Sequence, residues 1–228
     1  MRTVVYAGTR NVYRDMVTAS KSLLYNRGAD KVIFLIEDNK FPESLPSCIW
    51  CLNVSKQKYF KPDSPNFYNR WTYMVLMRAA LPLMPEMPNR ILSLDIDTIV
   101  DGSLADLWSL PSAPIYMARE VGRPYEYYNA GVMLIDTALM RNDAERIVHK
   151  LNTEHLQFTD QDAINSVMRG RIKPLPPQFN VSNWTIKPTQ PPIITHFAAI
   201  RHWQEDPLWE KYEAMTWDEA MRGTGREE

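Results

Sequence analysis

The chain has 228 residues, 45% of them hydrophobic, which is enough for one large α/β domain with a sizeable core and argues against disorder. The formal net charge is −1, so there is no electrostatic footprint for nucleic acid or for an anionic membrane. The first residues lack the apolar core of a signal peptide, no run of about 18 apolar residues could span a bilayer, and 17 prolines against 8 glycines imply stiff, ordered loops.

Thr3 to Ala7 is a short β-branched run and reads as a first strand. Gly8-Thr9-Arg10-Asn11 follows as a loop. Met16, Ala19, Ser20, Leu23 and Leu24 recur at helical spacing, with Gly28 where a C-terminal cap belongs. Lys31 to Ile36 is a second strand. Strand, helix, strand in about 35 residues is a βαβ unit and implies parallel pairing. Cys48 to Val54 reads as a third strand. Its two thiols, Cys48 and Cys51, lack the histidine partners of a zinc site, and they fit a reducing, cytoplasmic setting. Asn69 to Leu81 predicts a helix stopped by Pro82, with Tyr73, Leu76, Met77 and Ala80 on one face.

Ile91 to Leu94 is an apolar strand that delivers Asp95 and Asp97. In an extended backbone these positions share a side. Ala105 to Leu107 reads as one helical turn, Ile115 to Ala118 and Val132 to Ile135 as strands, Asp143 to Leu151 and Asp160 to Met168 as helices. Arg171 to Leu175 and Ile193 to Thr195 read as brief strands. The segment 206–228 reads as a helical tail packed on the edge of a single domain, 1–205, with a frayed end.

Polar groups recur at the predicted strand ends, where ligands collect in open α/β sheets. Asp95 and Asp97 raise each other's pKa when held close, and a divalent cation such as Mn²⁺ or Mg²⁺ removes that conflict. The bland alternative is a capping Asp95 and a solvated Asp97. Tyr13 is either a stacking platform for a flat base or a packed core tyrosine. Arg78 could pair with Asp95 or with a phosphate. Asn129-Ala130-Gly131 allows close backbone approach and hydrogen bonding, or is a simple turn. Asp160-Gln161-Asp162 sits at a helix start, with Thr159 or Asp160 as the expected cap. His196, at a strand end, is a candidate third metal ligand beside the two aspartates.

In this order and spacing the motifs resemble family-8 glycosyltransferases, retaining enzymes of GT-A fold. Ile91-Leu-Ser-Leu-Asp95-Ile-Asp97 matches the family's D-x-D strand, Tyr128-Asn129-Ala-Gly-Val-Met-Leu its Y-F-N-A-G-V-M-L block, and Asp160-Gln161-Asp162-Ala-Ile-Asn165 its D-Q-D-x-L-N block. Arg78, before Leu81-Pro-Leu-Met-Pro85, matches the family arginine. The resemblance implies an α/β fold with a mixed, mainly parallel central sheet flanked by helices. It implies Asp95, Asp97 and His196 around Mn²⁺ or Mg²⁺, a UDP-sugar donor, and a donor cleft formed by Ala7, Gly8, Thr9, Tyr13, Arg78, Ile96, Asn129, Ala130 and Arg201. Tyr13 would stack on uracil, and Arg78, Asn129, Asp160 and Gln161 would hold the sugar, with Asp160 and Gln161 nearest the chemistry. Retention suggests a front-face route, since Gln161 is a poor nucleophile. The acceptor (saccharide, lipid-linked sugar or protein) has no sequence signal.

Three departures stand out. The first loop is Gly8-Thr9-Arg10-Asn11-Val12-Tyr13 rather than a T-D or N-D loop. Asp136 stands where the family often has asparagine. The closing H-F-x-G-x-x-K-P-W appears as His196-Phe-Ala-Ala-Ile-Arg201-His-Trp203, with Ala199 for the glycine and Arg201 for the lysine. Alanine resists φ > 0, so a different loop path is expected there. Two rival readings are a nucleotide-sugar-binding protein without turnover and a haloacid-dehalogenase-type phosphatase, whose nucleophile motif would need Thr or Val where Ile99 stands.

Overall fold

A computed structural model describes residues 1–69, 71–123 and 125–223. The predicted frayed end at 224–228 lies outside the described residues. Among these, β1 (Thr3–Ala7), β2 (Lys31–Ile36), β3 (Ile49–Asn53), β4 (Arg90–Leu94), β6 (Ile115–Arg119), β7 (Tyr128–Asp136) and β8 (Lys173–Pro174) form one sheet, and β5 (Thr98–Val100) pairs with β9 (Ile194–His196). The helices are α1 (Tyr13–Tyr25), α2 (Met74–Ala80), α3 (Ala105–Trp108), α4 (Thr137–Thr153), α5 (Thr159–Val167), α6 (Pro207–Glu213) and α7 (Trp217–Arg222).

The main sheet runs β3-β2-β1-β4-β7-β6-β8. It is parallel except for β7, which pairs antiparallel with both β4 and β6. The expected mixed, mainly parallel α/β architecture is therefore present. The reversed β7 is what builds the site, because it brings its own beginning, Asn129 to Gly131, beside the end of β4.

Strand alternation divides the core. Val4, Tyr6, Phe34, Leu92 and Leu94 face α1, packing on Met16, Ala19 and Leu23. Val5, Ile33, Leu35, Ile91 and Met133 face the other way, against Leu76, Met77, Met140, Ile147 and Ile164 of α2, α4 and α5. Period two along each strand thus feeds both layers, as expected of a sheet covered on both faces.

Several boundaries differ from the sequence expectation. The helix expected from Asn69 begins only at Met74. Asn69 spends its side chain locally: its Oδ1 accepts from the Trp71 N–H at 2.7 Å and its Nδ2 donates to the Asn66 and Thr72 carbonyls. Thr72 sits at φ 69°. Such Asx turns compete with the helix ladder. Pro82 does not end the element outright, because Leu81–Leu83 continues it as a 3-10 turn with Pro82 in its first turn. Helix α4 begins six residues early because Asp136 caps it, accepting from the Leu139 N–H at 3.1 Å. The expected strand at Arg171 to Leu175 shrinks to two residues.

The tail is two helices rather than one. It carries core residues of its own: Trp209 and Tyr212 are fully buried with Ile99 and Phe197. Tyr212 Oη donates to Asp101, and Asn26 Nδ2 donates to Tyr212 Oη at 3.0 Å, tying the tail to α1 and to the end of β5. Replacing Trp209 with alanine should lower unfolding free energy by about 3–5 kcal/mol, read from urea denaturation. A loss below about 1 kcal/mol would show that the tail is not part of the cooperative unit.

Candidate active site

The site forms where β1 and β4 end, β7 begins, and α2, α5 and β9 converge. These elements bound a cavity of about 690 Å³.

The two aspartates come together by a route other than the expected strand. β4 ends at Leu94, and Asp95-Ile96-Asp97 is a turn that leads into β5. The turn is held by the Asp95 N–H, which donates to the Gly131 carbonyl at 2.8 Å. β5 then pairs with β9 so that Thr98 stands opposite His196. The pairing sets His196 Nε2 at 3.3 Å from Asp97 Oδ1 and 3.6 Å from Asp95 Oδ2. One ligand atom from each of the three lies within 4.8 Å of the others. His196 is buried, while both aspartates keep part of their surface open to the cavity.

Room for the imidazole depends on Gly131. A Cβ there would lie 2.0 Å from His196 Cε1 and under 3 Å from both ring nitrogens. Gly131 is therefore not a mere turn residue, since the His196 ring lies against its Cα.

The electrostatics show mutual dependence. Burial pushes the Asp95 carboxyl up, aided by Asp97 and opposed by Arg78. Burial works against the charge on Asp97 too, but the His196 imidazole outweighs it and holds Asp97 below the usual range. Burial opposes a charged His196, and the two carboxylates nevertheless pull its pKa up. The site thus demands positive charge among these three side chains, which a proton or a cation can meet.

Arg78 is nearly buried and saturated. It donates to Asp95, to Asp160 and, at 3.0 Å, to the Ala130 carbonyl. Burial disfavours its charge, but Asp160 and Asp95 drive its pKa above the ordinary value. Asp160 is fully buried and committed to Arg78, and it does not cap α5 as expected. No side chain caps α5; Asp162, inside the helix, reaches back to accept from the Phe158 N–H at 2.7 Å, while Thr159 adopts φ 40°.

Gln161 and Asn129 face a residue that the sequence reading missed. The buried Glu120, one residue beyond β6, accepts from Gln161 Nε2 at 3.1 Å and from Asn129 Nδ2 at 3.2 Å. A carboxylate at a strand end of an open sheet was the available signal. Trp71, Trp184 and Trp203, which also line the cavity, carried no pattern that marks them.

Of the expected donor-cleft residues, Ala7, Gly8, Thr9, Arg78, Asp95, Ile96, Asn129, Asp160 and Gln161 line the cavity. Ala130 lies behind it, donating its N–H to Gln161 Oε1 at 2.9 Å. Tyr13 does not reach it. Tyr13 is packed into the core, stacked on Phe41 with centroids 4.7 Å apart, and its hydroxyl donates to Asp38 at 3.0 Å. Arg201 is exposed and is not among the lining residues. Ala199 takes φ 59° despite its Cβ, so the loop keeps a left-handed residue where a glycine was expected, and Ala198, Ala199 and Ile200 line the cavity.

A family model described as Glycosyl transferase family 8 matches residues 39–206, well over half of the chain and inclusive of all three candidate metal ligands. The chain belongs to glycosyltransferase family 8. Two curated relatives are a "Putative glycosyltransferase" of Haemophilus influenzae, 26% identical over 66% of this chain and 54% of its own length, and "Glycosyltransferase GlyE" of Streptococcus pneumoniae, 25% identical over 95% of this chain and 62% of its own. The chain therefore spans less than two thirds of either relative. Among solved structures, GlyE superposes with a TM-score of 0.71 at 20% identity, covering 97% of this chain and 62% of GlyE. The galactosyltransferase LgtC superposes with a TM-score of 0.69 at 18% identity, covering 97% of this chain and 96% of LgtC. These likenesses place the family-8 chain in the GT-A fold. No helix among the described residues is long and apolar enough to cross a membrane.

Proposed function

We propose that the chain is a divalent-cation-dependent, retaining hexosyltransferase acting on a UDP-sugar donor. The observation that carries this reading is the Asp95, Asp97 and His196 group, open to the cavity in a family-8 chain. Two carboxylate oxygens and one imidazole nitrogen suit Mn²⁺ or Mg²⁺, and the charge balance agrees. Around the cavity Asp95, Asp97, Asp160 and Glu120 face Arg78 and Arg123, so with His196 as a neutral ligand two negative charges remain for a cation to offset. When bound, the cation supplies positive charge against the leaving diphosphate.

The chain's own groups would do the rest. Gly8, Thr9, Asn11 and Val12 line the end of the cavity after β1 and would take the nucleotide contacts that Tyr13 cannot make. Arg78 holds Asp95 and Asp160 in place through its two ion pairs. Asn129, Gln161 and Glu120 form the polar wall beside which the donor sugar would lie. Both polar atoms of the Gln161 amide have protein partners, which fits a positioning part better than nucleophilic attack. The fold is shared with a galactosyltransferase, so galactose and then glucose are the donor sugars to test first. The acceptor could be a saccharide, a lipid-linked sugar or a protein. Family membership overturns the phosphatase alternative.

A melting screen tests the reading. UDP-galactose or UDP-glucose with Mn²⁺ at a hundred times its dissociation constant should stabilise by about 2.7 kcal/mol, and EDTA should erase the gain. Release of UDP in the same mixture separates an enzyme from a binding module. No shift with any nucleotide sugar would overturn the proposal.

A further inference from the structure

Four buried side chains link the candidate cation site to Gln161. His196 Nδ1 lies 3.0 Å from Asn180 Oδ1, Asn180 Nδ2 donates to Asn129 Oδ1 at 3.0 Å, and Asn129 Nδ2 donates to Glu120 Oε1 at 3.2 Å. Gln161 Nε2 donates to the same Glu120 oxygen at 3.1 Å. Asn180 and His196 have 0% and 3% of their surface exposed, Asn129 and Glu120 6% and 7%.

The direction of every bond in this chain follows from its two fixed ends. A carboxylate only accepts, so each amide that meets Glu120 must present its NH₂. Asn129 then turns its oxygen the other way, and the backbone agrees, because the Gly131 N–H donates to Asn129 Oδ1 at 3.0 Å. Asn180 must offer its NH₂ to that oxygen and its own oxygen to His196. The imidazole therefore carries a hydrogen on Nδ1, and its Nε2, which faces Asp95 and Asp97, is the nitrogen whose lone pair a cation between them would meet. That is the tautomer a metal-ligating histidine needs. At the other end, Gln161 is pinned with its oxygen on the Ala130 N–H. The second Glu120 oxygen meets Arg123 Nε at 3.0 Å, and the Arg123 guanidinium lies over the rings of Tyr127 and Phe158 at 4.6 and 5.0 Å. With both oxygens engaged, Glu120 is poorly placed to attack a sugar.

We propose that Glu120 is a positioning residue that sets the polarity of this buried chain and thereby fixes both the ligating tautomer of His196 and the amide of Gln161. This rests on the reading of Asp95, Asp97 and His196 as a cation site.

The test uses the whole chain and Mn²⁺ alone, without donor. In E120A, Mn²⁺ affinity should fall about tenfold, the scale typical of outer partners of metal ligands. In the metal-free protein, at a pH high enough for a neutral imidazole, ¹⁵N shifts should show His196 leaving the Nδ1–H form for a mixture. E120Q, close to isosteric, should fall between E120A and wild type, and it carries the test if E120A does not fold. An N180D background separates this chain from simple loss of a negative charge. There the carboxylate holds the His196 tautomer by itself, so adding E120A should leave Mn²⁺ affinity unchanged within threefold. An unchanged tautomer in both Glu120 variants would overturn the proposal, as would the same tenfold loss in the N180D background. If wild type binds no Mn²⁺, the cation reading fails instead, while the ¹⁵N shifts still decide whether Glu120 orders the chain.

Discussion

Replacing Asp97 with alanine should abolish Mn²⁺-dependent stabilisation by the donor and cut transfer by at least about 10³-fold. The magnitude follows from the part assigned to the cation: charge stabilisation of several kcal/mol at the leaving diphosphate, where each 1.36 kcal/mol is tenfold in rate. Asp97 is the carboxylate nearest His196 Nε2, and unlike Asp95 it has no ion pair with Arg78, so it is the freer of the two to hold a cation. The fold should survive. Asp97 and Asp95 repel each other, and removing one leaves Asp95 with Arg78 and His196 as undiluted partners. The lost Asp97–His196 pair offsets that relief, so melting in EDTA should stay within a few degrees of wild type for D97A. Full Mn²⁺-dependent UDP release by a folded D97A would sink the cation assignment.

Gly131→Ala should be nearly as damaging, though its backbone conformation is ordinary. The added methyl would stand 2.0 Å from His196 Cε1, so the ring must leave its place between the two aspartates. Overpacking of this kind costs about 1–3 kcal/mol, or a melting temperature lower by several degrees in a chain this size. A displaced ligand should also weaken Mn²⁺ binding by at least about tenfold. The double variant G131A/H196A removes the clash and should regain the lost melting temperature while remaining inactive. G131A with wild-type melting and wild-type Mn²⁺ affinity would show that the ring has another place to go.

Both expectations arise from one topological fact. Because β7 runs antiparallel to β4, Gly131 accepts from the Asp95 N–H through its carbonyl and gives the His196 ring space at its Cα. The same residue donates its N–H to Asn129 and so anchors the amide chain that ends at Glu120. A glycine that reads as a turn in the sequence is the point where the cation site and the Asn129–Gln161 side of the cavity meet.

The residues legible from sequence were those whose pattern is local. Short continuous apolar runs gave the strands, and the βαβ spacing at Thr3 to Ile36 gave the parallel start of the sheet. The carboxylate pair at the end of Ile91 to Leu94, with Arg78, Asn129, Gln161 and His196 in order along the chain, gave the family resemblance. What the sequence left open depended on partners distant in the chain. Tyr13 could be a platform or a core residue, and Phe41 and Asp38, more than twenty residues on, decided for the core. Glu120 carried only the weak signal of a carboxylate at a strand end, because its meaning lies in Asn129 and Gln161, which reach it only once β6 and α5 flank β7. Ala199 was expected to resist a left-handed backbone, yet it takes φ 59° in a loop where the Ile200 N–H donates to the Phe197 carbonyl at 2.9 Å. Composition and periodicity set which surfaces must be buried. Only the assembled sheet, through its one reversed strand, decided which polar groups would share the cavity and in which direction their hydrogen bonds run.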